Sequence, residues 1–340
     1  MNIKLSKSSV IKKYGKPYII SEIGSNHNGN LKLCKKLIKI SKQSGADAVK
    51  FQMFSSQTLF SKKSFEIKGL KKKDVNKYSI NIQQLKEIYN YCRKIKIDIG
   101  VTPFSIKEAS LIKKNLNIDF FKIASCDCNY YDLINFIGKT KKPLILSTGL
   151  SSLKEIKKAV KTFEKTKNNK LVILHCVSNY PPKNTNNNLR RISTLNKLFR
   201  YPIGFSDHSL DIEMALASIP LGSCVIEKHF TINKKLRGWD HFMSIDDKQL
   251  KKMTFFSKNI YESLGSDRIM RVENKQMVQV FRRSIVSAHD IKKGQKISQK
   301  DLDFKRPGIG LDPDKKNLLI GKRAKKNIKF DEILYRKNFI

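Results

Sequence analysis

Apolar residues along this chain come in short blocks, each ending in polar residues. The blocks are PYIISEIG (17–24), AVKFQM (48–53), DIGVTPF (98–104), FFKIAS (120–125), PLILSTG (143–149), LVILHCVS (171–178), IGFSDHS (203–209) and CVIEKHF (224–230). Nearly continuous apolar runs of this length suit strands of a parallel sheet covered on both faces. Between them the period becomes helical. LKLCKKLIKISKQSG (31–45) places Leu31, Cys34, Leu37, Ile38 and Ser41 on one face, with Gly45 as its cap. SLKEIKKAVKTFEK (152–165) opens with Ser152 and Glu155 at capping-box spacing. Eight strands alternating with helices over about 230 residues predict an α/β fold of the TIM (β/α)8 barrel type. The alternative, a doubly wound open sheet, ordinarily follows its first strand with a Gly-rich phosphate loop, whereas this first strand ends in SEIGSNHNG.

The stretch 54–82 exceeds an ordinary βα loop and reads as an excursion or lid at the catalytic face. After about residue 250 the pattern shifts to short strands and turn signals such as KKGQ. The expected division is a barrel over 1–260, a linker over 261–280 and a small mixed domain over 281–340. A unit of that size has little core of its own, so docking against the barrel is expected.

Composition narrows the picture. No apolar run reaches the roughly 18 residues of a membrane helix, and no export signal stands at the N-terminus, so a cytoplasmic protein without a membrane partner is expected. Six scattered cysteines fit reduced thiols; Cys126 and Cys128 form a C-x-C pair with no second pair to complete a metal site. The net charge of +40 suggests anionic partners. The basic residues are spread along the whole chain beside many Ile and Asn, as AT-rich coding produces. They form no basic-aromatic patch, which argues against nucleic acid.

Candidate chemistry lies at the strand ends, which converge on one mouth in a parallel barrel. They carry Glu22; Lys50 and Gln52; Thr102 and Ser105; Lys122 and Ser125; Ser147 and Thr148; His175 and Ser178; Ser206, Asp207 and His208; and Glu227, Lys228 and His229. Lys50 and Lys122, with Ser125, Ser147, Thr148 and the backbone near Gly149, suit a phosphate or carboxylate; a Schiff-base lysine is the alternative. His208 and His229 end neighbouring strands, as two ligands of a divalent metal require, or they hydrogen-bond in the mouth. Two ligands leave positions open for Lewis-acid chemistry. His175 reads as a packing or orienting residue and His289 as exposed. Glu22 suits a hydroxyl acceptor or general base. Asp240 suits a loop over the mouth, with Trp239 beside it as a sugar platform or loop anchor.

Taken together these motifs resemble the sialic acid synthase family, which includes N-acetylneuraminate, legionaminate and pseudaminate synthases. SEIGSNHNG, AVKFQ, TPFS, FKIAS, LSTG, HCVSNYP, GFSDHS and EKHF follow in the family's order. RRSIVSAHDIKKG, KRPGIG and GKRAKKNIKFDEIL resemble its C-terminal antifreeze-like (SAF) domain. The resemblance implies a synthase, a transferase condensing phosphoenolpyruvate with an N-acylated amino sugar such as N-acetylmannosamine. A diacetamido-dideoxy hexose is the alternative acceptor. It implies a domain-swapped homodimer and a divalent metal, most often Mn2+ with Mg2+ or Co2+ as alternatives, on His208 and His229. Phosphoenolpyruvate would meet Lys50, Lys122, Ser125, Ser147 and Ser206, with Thr102 nearby. The sugar would meet Glu22, Gln52, Tyr180 and Asp240, with Ser178 also in the binding set and Arg306 reaching from the partner subunit. Lys50 and Lys122 then act as cations and form no Schiff base. Glu22, Lys50, Lys122, Asp127 and Asp240 are the expected catalytic set.

Two departures fall where the sugar is expected. Cys126 and Asp127 stand where the family usually has Gly-Glu, and Trp239 interrupts its usual Gly-Pro-Asp-His. A catalytically silent homologue is the competing class; the intact Lys50, Lys122, His208, His229 and Arg306 argue against it.

Overall fold

The structure, a computed structural model, describes residues 1–68 and 71–340. It forms two compact units, Met1–Gly265 and Ser266–Ile340.

The first unit opens with an antiparallel hairpin, β1 (Asn2–Lys4) and β2 (Val10–Lys12). Eight parallel strands follow: β3 (Tyr18–Gly24), β4 (Ala48–Met53), β5 (Asp98–Pro103), β6 (Phe120–Ile123), β7 (Leu144–Ser147), β8 (Leu171–Cys176), β9 (Ile203–Asp207) and β10 (Val225–His229). They close into a barrel, β10 pairing with both β9 and β3. Each strand lies inside one of the eight apolar blocks. The last six blocks run past the ends of β5 to β10, because their final residues turn out of the ladder into the mouth loops.

The helical periods fold as expected. α1 (Leu31–Gln43) buries Cys34, Leu37, Ile38 and Ser41 and is followed by Gly45 at φ +87°. Between β4 and β5 the chain forms α2 (Ser56–Leu59), α3 (Lys62–Lys68), α4 (Lys72–Lys77) and α5 (Ile82–Lys94). Most of the 54–82 excursion is therefore helical; Gly69 and Leu70 lie outside the described residues. Then come α6 (Ile106–Asn115), α7 (Tyr131–Lys139), α8 (Leu153–Lys165), α9 (Arg190–Leu198), α10 (Glu213–Ser218) and α11 (Asp247–Ser263). Ser152 and Glu155 make the reciprocal capping box at the start of α8.

The interior is divided along the barrel axis. At its N-terminal end Ile20, Ala48, Phe120, Ile145, Val172, Leu174 and Val225 form an apolar cluster with Ile3, Leu5 and Ile11 of the hairpin. Three-residue strands gave no readable period, so the hairpin plug escaped the sequence reading. Gly100 is needed here, because a Cβ would lie 2.1 Å from the Phe120 ring. With that end filled, polar side chains are left to the opposite mouth.

The second unit contains α12 (Lys275–Phe281) and an antiparallel pair, β11 (Ser284–Ser287) and β12 (Leu302–Lys305). Ile285, Ile291, Ile297, Leu302, Leu319, Ala324, Ile328, Leu334 and Phe339 form its core. Among the described residues no helix is long and apolar enough to cross a membrane.

Candidate active site

Strand alternation decides which polar groups meet. In β10, Ile226 faces the helix layer, so Glu227 and His229 face inward. In the sequence Glu227 is only one polar group among the strand ends. The fold makes it the centre of the inner wall. Its Oε1 lies 3.4 Å from Lys122 Nζ and accepts a 2.9 Å bond from Ser206 Oγ; its Oε2 lies 4.0 Å from Lys50 Nζ. Lys50 Nζ also lies 2.9 Å from Glu22 Oε1 and donates to Thr102 Oγ1 at 3.2 Å. Gln52 Nε2 donates to the same Glu22 oxygen at 2.8 Å, and Lys122 Nζ donates to Ser147 Oγ at 2.7 Å. All four charged groups are buried.

The two carboxyls differ. Burial alone pushes Glu227 up, but Lys122 and then Lys50 outweigh it and hold it at about 2. Burial raises Glu22 as well; Lys50 offsets only part of this and the Glu227 charge adds to it, leaving it at about 7. Burial drives the Lys122 ammonium below its ordinary value despite Glu227. One oxygen of each glutamate, Glu22 Oε2 and Glu227 Oε2, is buried without a hydrogen-bond partner. Both oxygens are free to accept a hydrogen bond from a bound molecule or from water.

Beside this wall stand the imidazoles. His208 and His229 have ring centroids 5.5 Å apart. His208 Nδ1 lies 2.8 Å from the Val177 carbonyl and donates to it, which leaves Nε2 with a free lone pair. His229 Nδ1 has no hydrogen-bond partner and lies 3.9 Å from Asp240 Oδ2. Burial pushes His229 down to about 4, so at neutral pH this contact is a neutral imidazole beside a carboxylate rather than an ion pair. Among the described residues no three His, Cys, Asp or Glu side chains are gathered as a metal-ligand group. Burial lowers His208, but Cys176 beside it outweighs this and raises it. The His229 ring, held neutral, and the His208 ring, turned by its Val177 bond, fit a cation in a site whose remaining positions stay open.

The rim comes from loops. Asp240 Oδ2 accepts from Ser25 Oγ at 2.7 Å, which draws the loop after β10 to the loop after β3. Trp239 is an anchor: its ring lies 4.8 Å from Tyr78 and stacks 6.1 Å from Phe54, tying this loop to the 54–82 excursion. Tyr180 packs 4.2 Å from the His208 ring. Ser125 Oγ accepts from the Gly149 amide at 3.0 Å. A Cβ on Gly149 would come within 2.6 Å of Ser178 Oγ and 2.8 Å of Ser125 Oγ, so only glycine lets this backbone into the pocket. Ser178 Oγ and Asp127 Oδ2 are buried without partners, and burial pushes the Asp127 carboxyl up to about 6. Asp127 ends the 3-10 turn that follows β6.

Other histidines stay out. His175 bonds the Asn187 carbonyl at 2.7 Å and stacks on Phe205, and His289 pairs with Asp301 at 2.8 Å in the second unit. Cys126 and Cys128 are free thiols. Arg306 lies in the second unit, over the Phe281 ring at 5.5 Å.

The NeuB family profile matches residues 37–268 and the SAF domain profile residues 282–340. The chain is 38% identical over 323 residues to an uncharacterized protein of Methanocaldococcus jannaschii, spanning 94% of each. It is 35% identical to the N,N'-diacetyllegionaminic acid synthase of Campylobacter jejuni, over 94% of this chain and 99% of that one. The crystal structure of N-acetylneuraminic acid (sialic acid) synthetase from Leptospira borgpetersenii, in complex with citrate, superposes with a TM-score of 0.76 at 31% identity. That match spans 82% of this chain and 94% of that one. With barrel, mouth and C-terminal unit all accounted for, this chain belongs to the NeuB family of sialic acid synthase-type proteins and ends in a SAF domain.

Proposed function

We propose that the protein condenses phosphoenolpyruvate with an N-acylated amino sugar and one water, which adds at C2 as phosphate leaves, giving a nonulosonic acid and phosphate. The observation that carries this reading is the pair of buried lysines, Lys50 and Lys122, converging on Glu227 beside two free imidazoles. Such a wall offers cations to an enol phosphate and, one strand away, a cation site for an aldehyde oxygen. The 35% identity to a diacetyllegionaminic acid synthase favours a diacetamido-dideoxy hexose as acceptor over N-acetylmannosamine.

In this reading Lys50 and Lys122, with Thr102, Ser125, Ser147 and Ser206, bind the phosphate and carboxylate of phosphoenolpyruvate. Lysines with several fixed partners stabilise the phosphate charge without reorganising as it leaves. The carboxyls of Glu22 and Glu227 face the positive charge that builds at C2 once C3 has attacked the aldehyde carbon. Glu22, whose carboxyl burial raises above the ordinary range, offers its unpartnered Oε2 for proton transfer. Gln52, Asp127, Ser178, Tyr180 and Asp240 line the sugar side, Asp127 with Asp240 as carboxylates for its hydroxyls. His208 and His229 would hold the divalent metal, Mn2+ before Mg2+ or Co2+; the neutral His229 ring and the His208 ring oriented by Val177 suit that task. Bound there, the metal supplies Lewis acidity toward a substrate oxygen. Arg306 serves the N-acyl group from a partner subunit in a domain-swapped homodimer.

The test is phosphate release from phosphoenolpyruvate with Mn2+ and a panel of amino sugars that includes N-acetylmannosamine and a diacetamido-dideoxy hexose. Release with the diacetamido sugar in preference to N-acetylmannosamine is expected. No release with any acylated amino sugar refutes the reading.

A further inference from the structure

The two strands that carry the imidazoles are joined on their outer face by an ion pair. Lys228 and Asp207 are register partners in β10 and β9, one residue before His229 and one residue before His208. Lys228 Nζ lies 2.7 Å from Asp207 Oδ2, and the side chains are 1% and 0% exposed. The same ammonium donates to the Ser209 carbonyl at 2.7 Å and reaches Ser209 Oγ at 3.3 Å. Asp207 Oδ1 accepts from the Ser209 amide at 2.8 Å. His208 is thus bracketed: the residues before and after it are both fixed to one ammonium on the neighbouring strand.

We infer that Lys228 and Asp207 are positioning residues, a buried clasp on the outside of the barrel that sets the spacing of His208 and His229 on the inside. The inference rests on the reading of those histidines as metal ligands.

Stability does not account for the pair. Desolvating two charges offsets most of their attraction, and well-packed apolar replacements of a buried pair are often as stable. An apolar pair, however, cannot hold the Ser209 carbonyl and amide. His208 begins the loop beyond the ladder, because β9 ends at Asp207. Its ring is fixed at Nδ1 by Val177, and its backbone is left to the clasp. Partners that orient a ligand in this way affect metal affinity by roughly 10- to 100-fold.

The experiment is calorimetric titration of the metal-free full-length protein with Mn2+, alongside its thermal unfolding. The double variant D207L/K228M removes both charges together and avoids stranding one. It is expected to unfold near the wild-type temperature and to bind Mn2+ roughly 10- to 100-fold more weakly. Asp207→Asn, which keeps an oxygen for the Ser209 amide, should weaken binding in the same sense but less. In turnover, the Mn2+ concentration for half-maximal rate should rise while kcat at saturating Mn2+ recovers. His208→Ala serves as reference and should abolish Mn2+ binding. Wild-type Mn2+ affinity in His208→Ala overturns the ligand assignment and the clasp together. Lost affinity in His208→Ala with wild-type affinity in either folded clasp variant overturns the clasp alone.

Discussion

Glu227 Oε1 stands 3.4 Å from Lys122 Nζ, and the other oxygen of the same carboxylate stands 4.0 Å from Lys50. One carboxylate thus lies between two buried ammonium groups, at the place where a substrate with two anionic groups is proposed to sit. Glu227→Gln keeps the Ser206 contact and removes the charge. Leaving buried cations underpaired costs about 3–5 kcal/mol when no other partner is found, so the melting temperature of the substrate-free variant should fall. Phosphoenolpyruvate returns the missing negative charge. Its stabilising shift should therefore be larger in the variant than in the wild type, as melts with and without it will show. Equal shifts would contradict the proposed placement.

Asp127 gives a pH test with a defined sign. Burial raises its carboxyl from the ordinary 3.8 to about 6. A raised acid stabilises the folded state below its ordinary value, and that contribution is lost as pH rises through about 6. Asp127→Asn should therefore stabilise the substrate-free protein at pH 8, on the order of 1 kcal/mol after allowance for partial exposure. The gain should vanish below about pH 4. Denaturant midpoints at the two pH values check this; a gain that persists at low pH would refute it.

Arg306 tests the proposed crossing between subunits. Arg306→Ala should raise the KM for the sugar and leave that for phosphoenolpyruvate nearly unchanged. Losing a hydrogen bond from a charged group removes about 1.5–3 kcal/mol, or roughly 10- to 150-fold. Initial rates with each substrate varied decide the point, and an unchanged sugar KM would remove Arg306 from the site.

Trp239 is the single tryptophan of the chain and stands next to Asp240. Its contacts with Phe54 and Tyr78 tie the Asp240 loop to the segment after β4. Aromatic pairs of this kind are worth about 0.5–1.5 kcal/mol beyond area burial. Trp239→Ala should raise the sugar KM by about two- to tenfold, and wild-type emission should change when the sugar is added. Constant emission at saturating sugar would mean that the loop does not respond to this substrate.

The eight apolar blocks were readable because a strand covered on both faces has nowhere to put polar residues until it reaches the mouth. Glu22, Lys50, Lys122 and His229 were therefore visible as strand-end chemistry. The β1–β2 hairpin was not, since Ile3, Leu5 and Ile11 make too short a pattern to separate from a loop. Trp239 was readable as either platform or anchor, and only its contacts with Tyr78 and Phe54 chose between them.

Local chemistry along the chain thus settled the barrel, the end at which its polar groups gather and the residue types available there, because period and apolar length are properties of neighbouring residues. Folding alone decided that Glu227, and not Lys228, shares a pocket with Lys50 and Lys122. Successive side chains on a strand point to opposite faces, and only closure of β10 between β9 and β3 fixes which face is inside. The same closure sends Lys228 outward to Asp207 and leaves two imidazoles side by side within.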